Sequence, residues 1–173
     1  MTSSPIEIRR LISEDAVLYR DIRLEALRSS PEAFASAFET ENARPVDWFA
    51  ERLESGAVVL GAFDGSELVG ILGFLIGDGP KRRHKGALVG MYVRAAARRA
   101  GVGRQLIEAA LDLATQSVEL VQLSVTGGNE PAHRLYRSVG FVEYGMERRA
   151  LKIDGRYYDE ILMVKDLPCR RST

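Results

Sequence analysis

At 173 residues, 46% hydrophobic and 28% charged, the chain has the length and balance of one globular domain with a real core, and is too short to expect two. Lysine plus arginine equals aspartate plus glutamate at 24 each, so no net charge draws it to nucleic acid or to an anionic membrane. A single cysteine, Cys169, excludes an internal disulfide and fits a reducing, cytoplasmic setting, and Met1-Thr2-Ser3-Ser4-Pro5 lacks the apolar stretch of a signal peptide.

The first strand is read over Ile6–Ile12. Ser13 follows as a helix cap with Glu14 and Asp15 in the first turn, and Val17, Leu18, Ile22, Leu24, Ala26 and Leu27 carry that helix to Ser29-Ser30-Pro31. A second helical stretch covers Val46–Leu53. Ala57–Phe63 and Glu67–Ile76 read as a hairpin turning at Asp64-Gly65. The longest apolar run, Leu68–Gly77, is too short to cross a bilayer. A basic loop, Asp78–Lys85, leads to a strand at Ala87–Val93, then a glycine turn, a helix over Gly101–Gln116 and a strand at Val118–Val125. Asn129 caps a short helix ending at Gly140, and Phe141–Ile153 with Arg156–Val164 form a last hairpin turning at Asp154-Gly155. Residues 1–167 form one domain and 168–173 a polar tail. The strands flanking the Gly101–Gln116 helix are expected to be parallel through a right-handed crossover, and the hairpins make the sheet mixed.

Arg98-Arg99-Ala100-Gly101-Val102-Gly103 carries the chemistry. A strand that runs into a basic, glycine-containing turn and then a helix suits a phosphate: small residues let the backbone approach, and the free N–H groups of the first helical turn point at the anion. Leu106, Ile107, Ala110, Leu111 and Ala114 give that helix one apolar face. The stretch lacks the G-x-x-x-x-G-K-[ST] of a Walker loop and the third glycine of a dinucleotide fingerprint.

The pattern Arg98-x-x-Gly101-x-Gly103, followed by Asn129-x-x-Ala132-x-x-Leu135-Tyr136-x-x-x-Gly140-Phe141, resembles the two cofactor motifs of the GNAT superfamily of N-acetyltransferases, on successive helices and in the expected order. The resemblance implies an α/β (α+β) fold: a central mixed, mostly antiparallel sheet of about seven strands with a splayed central parallel pair, flanked by about four helices. It implies acetyl-CoA as co-substrate and no metal. An amine acceptor would attack the thioester directly. Met91 and Val93 would bind the pantetheine arm through their backbones, on a strand bulged near Gly90. Arg98, Arg99, Gly101, Val102, Gly103 and Arg104 would hold the pyrophosphate, and Asn129 would cap its helix and touch the cofactor. Arg99 stands where the loop commonly has glycine. Tyr136 matches the usual general acid, protonating the departing thiolate, an effect of about 10²–10⁴ in rate; as one of the apolar-face residues Ala132, Leu135, Tyr136 and Val139 it also reads as plain core. Relatives are often homodimers.

The general base is left open. Ala87–Val93 contains no carboxylate; Glu39, Glu41, Glu143 and Asp159 are candidates that also read as solvated surface charges, and His84 and His133 read as exposed. Lys81-Arg82-Arg83-His84-Lys85 lacks the interleaved aromatics of a nucleic-acid patch. Phe34, Phe38, Trp48 and Phe49 either line an acceptor pocket or belong to the core. The expected acceptor is a small primary amine, with a protein N-terminus or lysine as the alternative. A non-catalytic acyl-CoA sensor is the reading of another class.

Overall fold

The computed structural model describes residues 5–168; the readings made on Met1–Ser4 and on Cys169 with its tail fall outside the described residues. Within them the chain forms β1 (Glu7–Arg10), α1 (Ala16–Ser29), α2 (Phe38–Asn42), α3 (Val46–Glu54), β2 (Val58–Asp64), β3 (Glu67–Ile76), β4 (Lys85–Val93), α4 (Val102–Ala114), β5 (Leu120–Thr126), α5 (Glu130–Ser138), β6 (Val142–Ile153) and β7 (Arg156–Asp166). The strands make one sheet in the order β1-β2-β3-β4-β5-β7-β6. Only β4 and β5 run parallel, and every other neighbouring pair is antiparallel. This is the expected mixed sheet.

Local chemistry accounts for the elements and for the departures from expectation. Asp154 and Gly155 both have positive φ, +48° and +81°, as a tight hairpin turn requires. In the first hairpin Asp64 pairs with Glu67, so the turn is Gly65-Ser66, one residue later than expected, with positive φ at Gly65. Ser13 does not cap α1. It opens a 3₁₀ turn, Ser13–Asp15, and its hydroxyl donates to Glu14. Asp15 organises the turn instead, accepting the Ile12 N–H at 3.0 Å and two bonds from Arg9 at 2.7 and 2.8 Å. The Arg9 hydrogen bond, opposed by burial, holds the Asp15 carboxyl below its ordinary value. Helix α2 is additional: a fifth α-helix against the four expected, in a stretch whose Glu-Thr-Glu-Asn carries no apolar periodicity.

The sheet has a helical layer on each face. On one, α4 buries Leu106, Ile107, Ala110 and Ala114 completely, each large residue contributing about 1.5–3 kcal/mol. Gly70 makes room for its start, since a methyl there would meet Leu106 and Val102 at 3.1 and 3.2 Å. On the other face α1 and α3 pack through Tyr19, Ile22, Leu27, Phe49 and Leu53. Val17 and Leu18 of α1 face outward, 64% and 41% exposed. Arg94, just past β4, ties α1 down by ion pairs to Asp21 at 2.6 Å and Glu25 at 3.1 Å, and reaches Glu67 on β3 at 3.0 Å.

Two irregularities open the middle of the sheet. The parallel pairing of β4 and β5 lasts three residue pairs, from Lys85↔Leu120 to Ala87↔Gln122, so the two strands part beyond Ala87. In the same stretch Val89 pairs with Gly73 and Tyr92 with Ile71. Gly90 and Met91 therefore oppose the single residue Leu72, a β-bulge with Gly90 at φ +62°. The bulge expected near Gly90 is present.

Candidate active site

The glycine loop sits where β4 has lost its parallel partner. After a short 3₁₀ turn, Ala95–Ala97, the backbone turns left-handed at Arg99 (φ +66°) and Gly101 (φ +77°), then enters α4. No side chain caps that first turn, and its first ordered bond runs from Gln105 N–H to the Gly101 carbonyl. A helix start left open in this way offers its N–H groups and dipole to an anion. The two glycines serve different ends. A methyl on Gly101 meets nothing closer than 3.9 Å, so that position needs glycine for its backbone; one on Gly103 would meet Met91 Cε at 2.8 Å and Leu135 at 3.1 Å, so that position needs glycine for space.

A left-handed backbone costs an ordinary residue about 1–2 kcal/mol. Gly101→Ala is therefore expected to destabilise the fold by about that much, and Arg99→Gly to be neutral or to stabilise by up to about 1 kcal/mol. Paired thermal melts measure both. A clear loss of stability in Arg99→Gly would show that the side chain, not the backbone, is what this position needs.

The structure brings Tyr136, Met91, Val93 and Gly103 together. Tyr136, near the end of α5, is buried at 7% exposure and stacks edge-on against Phe141 at 5.9 Å. Its hydroxyl donates to Met91 Sδ at 3.3 Å, linking α5 to the bulge. Burial pushes the phenol up to about 12, so it is protonated at neutral pH. Arg98 folds back, its Nε donating to the Val93 carbonyl at 2.9 Å with the guanidinium 5.6 Å from the Tyr92 ring. Arg99 is exposed. Arg104 points to the back of α4, bonding Glu108 at 3.1 Å and Ser138 at 2.9 Å. Val102 buries its side chain and anchors the helix start. Asn129 caps α5 through a 3.4 Å bond from Ala132 N–H.

The opposite face of β4 carries an ion pair that sequence reasoning missed. Arg23 of α1 and Glu41 of α2 are 5% and 2% exposed and form a two-pronged pair, Nε to Oε2 at 2.9 Å and Nη2 to Oε1 at 2.8 Å. Arg52 stands 3.6 Å from the same carboxylate, and the Arg23 guanidinium lies 5.0 Å from the Phe34 ring. Burial alone would push the Glu41 carboxyl up; hydrogen bonds and charge from Arg23, the charge of Arg52 and a hydrogen bond from Ser36 outweigh it and hold the group below its ordinary value. Glu41 is thus a fixed counter-ion and not the solvated surface charge expected. One signal was available: Arg23 interrupts the inward stripe Tyr19, Ile22, Ala26, Leu27 at helical spacing. Ahead of α2, Thr126 at the end of β5 donates to the Glu32 carbonyl at 2.6 Å, so the α1–α2 connection is fastened across the opening.

The other candidate bases are engaged or exposed. Glu143 accepts from His133 at 2.7 Å. Asp159 accepts the Arg149 N–H at 2.8 Å, holding the left-handed Arg149 (φ +54°) in β6. Glu39 is exposed, and His84 precedes β4 at the end opposite the loop. Phe49 is fully buried core, Trp48 packs edge-on to it at 4.9 Å, and Phe34 lies against Arg23.

The acetyltransferase (GNAT) family model matches residues 20–141. RimI of Mycobacterium tuberculosis (strain H37Rv), named as an N-alpha-acetyltransferase, is 30% identical over 154 residues, 88% of this chain and 89% of its own length. YwnH of Bacillus subtilis (strain 168), named for phosphinothricin acetyl transfer, is 27% identical over 133 residues, 75% of this chain and 82% of its own. The yncA protein of Salmonella typhimurium, solved with its cofactor acetyl-CoA, superposes with a TM-score of 0.79 at 19% identity, covering 98% of each chain. With the family match spanning most of its length, and the splayed, bulged sheet and open helix start described above, the chain belongs to the GNAT family of acetyltransferases.

Proposed function

We propose that the protein transfers the acetyl group of acetyl-CoA to a primary amine of a small molecule, with Tyr136 as general acid. The observation that carries the reading is the Tyr136–Met91 contact at 3.3 Å, which sets a protonated phenol across the gap between β4 and β5, beside the bulge and the open start of α4. The arrangement fits acetyl-CoA. The unpaired stretch of β4 with Met91 and Val93 would run along the pantetheine arm, and the backbone of Gly101, Val102 and Gly103 would face the pyrophosphate, with the exposed Arg99 beside it and Arg98 and Arg104 reaching it by exchanging their present partners; Asn129 flanks the site from α5. Bound there, acetyl-CoA supplies an activated thioester. A phenol at about 12 is a weaker acid than a thiol at roughly 8.5. Tyr136 would therefore act as general acid through a hydrogen bond to the sulfur that strengthens as the C–S bond breaks.

Glu41, Glu143 and Asp159 are each held by another group, which supports an acceptor that reacts as the neutral amine and gives its proton to solvent. The rate, kcat/KM, is then expected to rise with pH through the amine's own pKa, with no fall from Tyr136 before about pH 10, since its raised value keeps the phenol protonated there. The fastened α1–α2 connection favours a small acceptor over a protein chain, although the relative RimI is named for α-amino groups of proteins. A cytoplasmic setting and a homodimeric state belong to the same proposal, as does the lack of a nucleic-acid partner: the exposed Lys81–Arg83 run lies at the end of β4 away from the loop.

The test is thiol release from acetyl-CoA across amines, amino acids and peptides, with CoA binding followed by calorimetry. Release with small amines supports the reading, and release with peptides alone replaces it by protein acetylation. Tight CoA binding without release from any acceptor would make the protein a sensor.

A further inference from the structure

Building on that reading, we infer that Arg23 recognises a carboxylate on the acceptor, so that the substrates are amino acids or compounds that carry amine and carboxylate close together. The Arg23 side chain is 5% exposed, yet only part of its guanidinium is used. Nε and Nη2 are taken by Glu41, and among the described residues Nη1 makes no hydrogen bond. Among the described residues Arg94 Nε is the one side-chain nitrogen or oxygen sealed from solvent without a hydrogen bond, so Nη1 of Arg23 is not fully sealed from solvent.

Nη1 lies at the bulge. A methyl group on Gly90 would come within 3.2 Å of Nη1, its one close neighbour there. Glycine at position 90 thus lets Nη1 lie close against the bulged backbone of β4, with no side chain between them. The charges around it do not cancel: Arg23 and Arg52 share the single carboxylate of Glu41, which leaves one positive charge in excess. Glu41 and the Phe34 ring, 5.0 Å from the guanidinium, hold the planar group in one orientation, as recognition of a carboxylate through N–H donors requires.

Position sets the spacing within the acceptor. Nη1 is in reach of the bulge, and the bulge lies beside the Tyr136–Met91 contact where the amine must attack. Gly90, against Nη1, is the immediate neighbour of Met91, against the Tyr136 hydroxyl, which suits an acceptor whose carboxylate lies close to its amine, as in an amino acid. A polyamine has no such group, and in a peptide the carbonyl next to the N-terminal amine is an uncharged amide.

The experiment compares L-amino acids, their carboxamides and their decarboxylated amines as acceptors by thiol release, at equal concentrations of unprotonated amine. The native enzyme is expected to favour the free carboxylate by on the order of tenfold or more in kcat/KM, the scale of one charge-assisted hydrogen bond. Arg23→Lys keeps a cation for Glu41 but loses the fork, and is expected to level the three series while turnover of the carboxamides and the KM for acetyl-CoA persist. Equal rates across the series in the native enzyme would overturn the inference without any variant. So would an Arg23→Lys enzyme depressed equally on all three, since that is the signature of a purely structural ion pair. Failure to release thiol with every acceptor would instead remove the acetyl-transfer reading beneath it.

Discussion

Tyr136→Phe is expected to lower kcat by about 10²–10⁴-fold while CoA affinity and thermal stability change little. The substitution removes one oxygen whose one hydrogen bond among the described residues is a weak one to Met91 Sδ, and leaves the ring's edge-on contact with Phe141 at 5.9 Å in place. The hydroxyl thus contributes little to packing, so its loss is expected to show in turnover and not in the melt. Stopped-flow thiol release and calorimetry separate the two quantities. Unaltered kcat with a fully folded variant would reduce Tyr136 to a core residue. The raised value also has a stability consequence with a definite sign. Keeping the phenol neutral in the fold stabilises it fully below the ordinary value of 10, and that contribution is lost as pH climbs from there toward about 12. Alkaline melts of the native protein should show this loss, and those of Tyr136→Phe should show a smaller one, since burial also raises the phenol of Tyr19.

The second large effect is on folding. Glu41→Ala should destabilise the protein by about 3–5 kcal/mol, the cost of stranding a buried charge, or a fall in Tm of roughly 6–20 °C for a chain of this size. Arg23 would lose both its bonds, at 2.8 and 2.9 Å, inside a site where it is 5% exposed. Denaturant melts measure the difference, and a variant within 1 kcal/mol of the native protein would show that solvent reaches the pair. Because the Glu41 carboxyl is held below its ordinary value of 4.5, the pair contributes in full above that value and fades as pH drops through it and below. The gap between native and variant should close on acidification. Replacing both partners with apolar residues of matching volume should recover most of the loss, which separates the role of the pair in folding from that of Arg23 toward an acceptor.

What was legible in the chain was local. The Arg98–Gly103 turn, the Asn129 cap, the Asp154-Gly155 hairpin and the apolar face of α4 are each specified by neighbours within a few residues, and each stands where the spacing puts it. The bulge at Gly90 could be anticipated only as a place where glycine permits one; its existence depends on how β3 and β4 register across the sheet. Groups joined across the fold were hidden. Glu41 looks like a surface acid because nothing near it in sequence pairs with it, and its partner lies 18 residues back on another helix. The Tyr136–Met91 contact spans 45 residues, and the partners of Glu41, Glu143 and Asp159 are visible only in the fold. Helix α2, five residues long, is held by that buried ion pair more than by any propensity of its own.

The short β4–β5 seam bears on how the native protein opens. Three residue pairs, with α4 lying across them, join the four strands on one side to the three on the other, so the backbone ladder is thinnest near the sheet's middle. Amide exchange should divide the protein there into two cooperative blocks, β1–β4 with α1 and α3, and β5–β7. A ligand lodged between the blocks would close the route by which they separate, and would slow exchange in both by the free energy of its binding. In such a molecule, occupancy of the groove sets rigidity as well as readiness to react.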